Sequence, residues 1–244
     1  MTDLFVLRGA IEDYQVERKI GNFIWSGTER GALGATAIAA AVSGASGLAM
    51  GATIAATSTD EEADYVQFEV EGKLVKGWLW RSPFSEGDVV DVVVSKSDDQ
   101  LGLVAVHRLN DGVIALYPHV SRGSWAHAIN AFKWWAIGCS TVFGLFSILF
   151  AYMAAESGSL WDQFGNKNFL QVIFGSGAMF SGWLLIYTIW SLGKWKKYTK
   201  LAEKIFVSLG WKGEKKIDLI KSSKRLRRGD ESFDYGSFFF RRQE

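Results

Sequence analysis

Trp134–Ala155, WWAIGCSTVFGLFSILFAYMAA, and Phe169–Gly193, FLQVIFGSGAMFSGWLLIYTIWSLG, decide the fold class of this chain. Neither stretch holds an Asp, Glu, Lys, Arg or His, and they run for 22 and 25 residues. Both exceed the roughly 18 uncharged apolar residues at which a membrane span becomes the default expectation, and as helices they reach roughly 33 and 38 Å. The polar turn between them carries Glu156, Asp162 and Lys167. Trp134, Trp135, Tyr152, Trp161, Tyr187, Trp190, Trp195 and Tyr198 mark the edges, where amphipathic rings sit at headgroup level. The expectation is a transmembrane helical hairpin over 121–193, with spans at 134–155 and 169–193.

Positive charge resists translocation, so the flanks orient the hairpin. Arg122 and Lys133 precede the first span; Lys194, Lys196, Lys197 and Lys200 follow the second. Both ends are expected on the cytoplasmic side, with Lys133 and the four following lysines at the lipid headgroups. The near-neutral total conceals three parts. Residues 1–120 hold 9 basic and 17 acidic side chains, a net of −8; 121–193 hold a net of +1; 194–244 hold 15 and 7, a net of +8.

At 244 residues there is room for one ordinary soluble domain beside the hairpin. The single cysteine, Cys139, excludes an intramolecular disulfide and a CxxC metal site. The start, MTDLFVLRGAIEDY, has neither the basic n-region nor the apolar core of a secretory signal, and the end, RRQE, has no CaaX cysteine.

Upstream, Leu4–Tyr14 and Val16–Trp25 read as two strands rich in Val, Ile, Phe, Tyr and Trp. The composition then changes abruptly at 31–58, GALGATAIAAAVSGASGLAMGATIAATS, where Ala and Gly dominate. Ser43, Gly47 and Gly51 recur at steps of four, a spacing that lets helix backbones approach closely in a membrane. Three readings stand side by side: a third span, a re-entrant or conditionally inserted hairpin, or a soluble helical insertion. Ala and Gly gain little on leaving water, and each Gly weakens a soluble helix by about 1 kcal/mol relative to Ala.

From Asp64 the β signal is clear. Tyr65–Val70 and Lys73–Trp80 flank the Glu71-Gly72 turn; Val89–Ser95, Leu101–Arg108 and Val113–Tyr117 follow at short intervals. About seven short strands predict a small antiparallel barrel or sandwich, OB- or SH3-like, with the Ala/Gly segment as a helical insertion. If both strand groups share one sheet, 31–58 cannot cross the membrane once; a hairpin excursion would fit.

Within the spans, Ser140–Gly144 on one side and Gly177–Ser181 with Ala178–Gly182 on the other offer a close helix–helix seam. A transporter or proton relay usually holds an ionisable side chain at depth; these spans hold no Asp, Glu, His, Lys or Arg, which favours an anchor or oligomerising element. After Gly193, the tail 194–244 begins with Leu201, Ile205, Phe206 and Leu209 spaced among lysines. That pattern suits either an anionic leaflet or the protein's own β domain. Lys221–Arg228, KSSKRLRR, reads as a phospholipid or topology element rather than a nucleic-acid site. Tyr235–Phe240 reads as a docked strand or a foot on the membrane surface.

A search for chemistry finds little. His107, His119 and His127 are too scattered for HExxH, and no GxGxxG or Walker pattern has its proper context. The run Asp60, Glu61, Glu62 and Asp64 reads as a solvated acidic cluster. No catalytic residue, metal site or cofactor is expected.

The order of features resembles an uncharacterised bacterial family grouped with type VI secretion system effectors. The matching stretches are 31–57, VKGWLWRSPFSEGDVVDVVV (75–94), IALYPHVSRG (114–123) and AFKWW (131–135); IFVSLGW (205–211), IDL (217–219) and SK (223–224) match more loosely. The resemblance implies a secretion-linked protein of the bacterial inner membrane and supplies no catalytic residues. Two functions follow: a bilayer-inserting, depolarising effector, or a resident immunity or accessory protein that binds a secretion-system or toxin partner through its β domain. Homo-oligomers fit either, and the lipid bilayer is a partner in both.

Overall fold

The computed structural model describes residues 3–21, 23, 61–97, 100–156, 167–227, 229 and 231–242. The Ala/Gly segment, with Ser43, Gly47 and Gly51, lies outside them. The chain divides into two compact units, Met1–Gly123 with Tyr198–Glu244, and Ser124–Lys197.

The first unit is a mixed sheet of eight strands: β1 (Leu4–Ala10), β2 (Glu12–Gly21), β3 (Glu61–Val70), β4 (Lys73–Leu79), β5 (Val89–Ser97), β6 (Gln100–Arg108), β7 (Val113–Leu116) and β8 (Phe239–Arg241). Their order is β1-β5-β6-β4-β3-β2, with β7 added on β6 and β8 on β7. Every pair is antiparallel except β4–β6, which is parallel through Val75↔Leu101, Lys76↔Gly102 and Gly77↔Leu103. The all-antiparallel expectation is corrected there. β4 reaches β6 only after the chain has passed through β5, and that crossover sets the parallel direction.

Local chemistry explains the strands. In β3, Val66, Phe68 and Val70 point into the core while Tyr65, Gln67 and Glu69 are half-buried, the period of two that one covered face requires. Glu71 and Gly72 both take positive φ, 54° and 67°, the two-residue hairpin geometry whose twist matches its strands. Val90, Val92, Val93 and Val94 are all fully buried, so β5 is covered on both faces. The first two strands break at buried Ile11 rather than at Gln15. Gly21 pairs with Glu61, so the chain leaves and re-enters the sheet at adjacent points.

The basic tail folds with the head. Leu201, Ala202, Ile205 and Phe206 are buried in this unit, as are Leu219 and Phe240, and β8 extends the sheet. Apolar residues spaced among lysines cover the protein's own β structure here, so a division at 193/194 separates residues that fold together. A short helix, Leu219–Leu226, is capped by the Asp218 side chain accepting from Lys221 N at 3.0 Å and carries much of the KSSKRLRR cluster. Arg122 donates to Asp218 at 3.0 Å, and Gly123 N to the Ile217 carbonyl at 3.0 Å.

The second unit consists of helix α1 (Ser124–Glu156) and the greater part of helix α2 (Lys167–Ser208). α2 does not stop at the end of its apolar run; it continues to Ser208, and its last turns belong to the β unit.

Gly77 is required where β4 meets β6. A Cβ there would lie 2.6 Å from the Leu103 carbonyl oxygen and 2.7 Å from its Cβ. Gly77→Val is expected to cost about 1–3 kcal/mol of stability. This should appear as a lower urea midpoint of the detergent-solubilised chain, followed by near-ultraviolet circular dichroism. Gly229→Ala, where a Cβ meets nothing within 4 Å, should leave the midpoint in place.

Candidate functional site

The feature that asks for a partner is the surface of the helical unit. Ser124–Leu149, 26 residues, is apolar and long enough to cross a membrane, and from His127 to Leu149 none of its side chains is buried. A core helix of a water-soluble protein of this composition would be covered. Trp134, Ile137, Phe143, Leu145, Phe146, Ile148 and Leu149 are all exposed, and at 100° per residue they surround the helix. A helix apolar on every side belongs in a protein core or in lipid. On α2, Phe174, Met179, Trp183, Ile186 and Ile189 are exposed in the same way. Among the described residues the helix α1 is the one that meets the full criterion of length and composition.

The two helices touch along a line that descends on one as it rises on the other. Trp135 Nε1 donates to the Ser181 carbonyl at 3.2 Å, the Cys139 thiol to Ser181 Oγ at 3.5 Å, and a Cβ on Gly177 would strike the Phe143 ring. Gly177 and Ser181 therefore face α1. Ser140 and Gly144 are exposed, and a Cβ on Gly144 or on Gly182 would meet nothing within 4 Å. On the α1 side the seam is made by Trp135, Cys139 and Phe143. Small-residue spacing is blind to which stripe turns inward; the ring and thiol decide it.

Cations and aromatic rings gather toward the C-terminal end of the apolar run of α2. Lys194 Nζ sits 3.7 Å from the centre of the Trp190 ring, Tyr187 packs on Trp190, and Trp195 meets His127 at 6.0 Å. A lysine over an indole at the edge of an apolar helix is the arrangement that headgroup level favours. Lys133, Lys196 and Lys197 are exposed in this unit; Lys200 is exposed in the β unit.

The β unit holds a buried aromatic and histidine cluster with no local signal in the sequence. Tyr117-Pro118-His119-Val120 closes a turn with Val120 N donating to the Tyr117 carbonyl at 3.1 Å. His119 takes φ 66°, as the third position of a type II turn requires, with Pro118 in the second. That turn sets the imidazole 2.8 Å from Glu61, 4.9 Å from the Trp80 ring and 5.8 Å from the Tyr198 ring. The Tyr198 hydroxyl donates to the Phe23 carbonyl, and the Phe23 ring packs on Trp78 and Tyr117. Burial pushes the phenols of Tyr117 and Tyr198 up to about 12. Phe23 and Glu61 are the described residues on either side of 24–60, so one cluster holds both.

Asp60 lies outside the described residues; Glu61, Glu62 and Asp64 all take part in ion pairs. Buried Asp64 accepts from Arg18 at 3.0 Å and from Ser82 N at 2.9 Å, Glu62 lies 3.5 Å from Arg81, and Glu61 meets His119. Among the described residues no group of three or more potential metal-ligating side chains comes together. No protein-family model, no curated protein and no solved structure matches the chain.

Burial holds the imidazoles of His107 and His119 below the ordinary value of 6.5, outweighing the carboxylates beside them. Below that value the unfolded chain binds protons that the folded chain refuses. This stability is complete above about pH 6.5 and lost as the pH falls through the depressed folded values. The urea midpoint of the β unit should fall between about pH 7 and about pH 5, and replacing both histidines by Gln should flatten the decline. An equally steep decline in the double variant would remove the histidines as its cause.

Proposed function

We propose that this chain is a resident protein of the bacterial inner membrane. In this reading α1 and the apolar part of α2 form a two-helix anchor, and the β unit binds a protein partner on the cytoplasmic side. The observation that carries the reading is the apolar run of α1, in which no side chain from His127 to Leu149 is buried. Support for the second span is the charge-free run Phe169–Gly193 and the exposed rings and aliphatic side chains of α2. Lys133, Lys194, Lys196 and Lys197 support cytoplasmic termini. The resemblance to the secretion-linked family makes an immunity or accessory partner the natural one, without enzymatic chemistry.

A depolarising effector is the competing reading. It rests on the Ala/Gly segment 31–58 and on the same resemblance. A helix that lines a conducting path needs a polar stripe, and the apolar exposed side chains of α1 run all the way round. The test is the membrane potential of a bacterium expressing the full chain, directed either to the cytoplasm or to the periplasm. An intact potential and normal growth in both cases are expected. Rapid depolarisation, above all from the periplasm, would replace this reading with the effector.

A further inference from the structure

β2 is a long strand at one end of the strand order. Among the described residues it hydrogen-bonds to β3 alone, and Val16 and Ile20 are 50 % and 69 % exposed. Exposed edges of this length template the addition of another strand. Its sequence is self-complementary in one antiparallel register. Antiparallel pairing matches residues whose numbers sum to an even constant, because opposed residues must present their backbone groups to each other. With Arg18 on the two-fold axis, Glu17 faces Lys19 of a second copy and Val16 faces Ile20, each pair occurring twice. A shift by one residue either way sets Glu17 against Glu17 or Lys19 against Lys19. Arg18 faces itself on the axis, and each copy is neutralised by its own buried Asp64 at 3.0 Å. Glu17 and Lys19 already attract one another within the chain, at 2.7 Å, and partners across the axis would exchange that contact for an equivalent one.

We propose that β2 pairs with β2 of a second copy, in the register that centres on Arg18, to form an isologous dimer through the sheet edge. The occupant of the edge is this chain itself, chosen by alternating charge and apolar complementarity. The proposal stands independently of how the helices meet lipid.

The test uses the full chain in mild detergent, with mass measured by light scattering across a dilution series. Wild type is expected to be dimeric. Glu17→Lys and Lys19→Glu each set like charges opposite one another twice and should weaken the dimer roughly tenfold or more. The double variant Glu17→Lys/Lys19→Glu restores opposite charges with their signs exchanged and should recover the dimer. All three changes lie on exposed or half-buried positions, and circular dichroism of each variant checks the fold. A wild-type monomer throughout, or a dimer that both single variants leave intact, would overturn the proposal. So would a double variant weaker than either single one, since only the paired register predicts rescue.

Discussion

Between Lys133 and Glu156 the chain makes about six turns of helix without a charged side chain, and among the described side chains there none is buried. Apolar surface exposed to water costs on the order of 25 cal/mol per Å². A helix with large side chains on every side therefore needs an apolar medium. Lipid supplies one, and inside it the helical backbone satisfies its own hydrogen bonds. The rest of α1 and α2 is consistent with that constraint. Among the described residues their mutual contacts are specific ones, Trp135 and Cys139 on Ser181 and Phe143 on Gly177. The rings and lysines around Trp190 and Lys194 stand where the apolar run ends.

The β unit is organised by the opposite condition. Its core is buried, and the charges buried among its described residues are paired. Asp64, almost fully buried, is tolerable because Arg18 and the Ser82 amide meet it from two sides. Arg8 and Asp91 close the β1–β5 pair with bonds of 2.6 and 2.8 Å. The aromatic cluster around His119 joins the start of β3, the turn after β7 and the end of α2, three places far apart in sequence.

Much of this was legible in the residues. The Glu71-Gly72 hairpin, the valine-rich β5 and the uncharged run of α1 carry their structure locally, in turn chemistry, period and composition. The parallel contact of β4 with β6 does not, because it depends on Gly77 lying opposite Leu103, a pairing that no short window contains. The fate of Leu201, Ile205 and Phe206 was equally hidden, since an apolar face flanked by lysines looks the same whether lipid or protein covers it. At the helix seam the small residues were visible, but the inward stripe was chosen by Trp135, Cys139 and Phe143. The Glu61–His119 pair joins positions 58 residues apart and leaves no motif.

The central claim is that the exposed face of α1 lies in lipid. Phe146, 57 % exposed and about 18 Å along the helix from Trp134, falls near the middle of a hydrocarbon layer about 30 Å thick. Phe146→Cys in a Cys139→Ser chain, labelled with a fluorophore and reconstituted into vesicles, reports its surroundings directly. Lipids brominated on the acyl chain should quench the fluorophore, and aqueous iodide should not. Quenching by iodide, with the brominated lipid silent, would place that face in water and contradict the account.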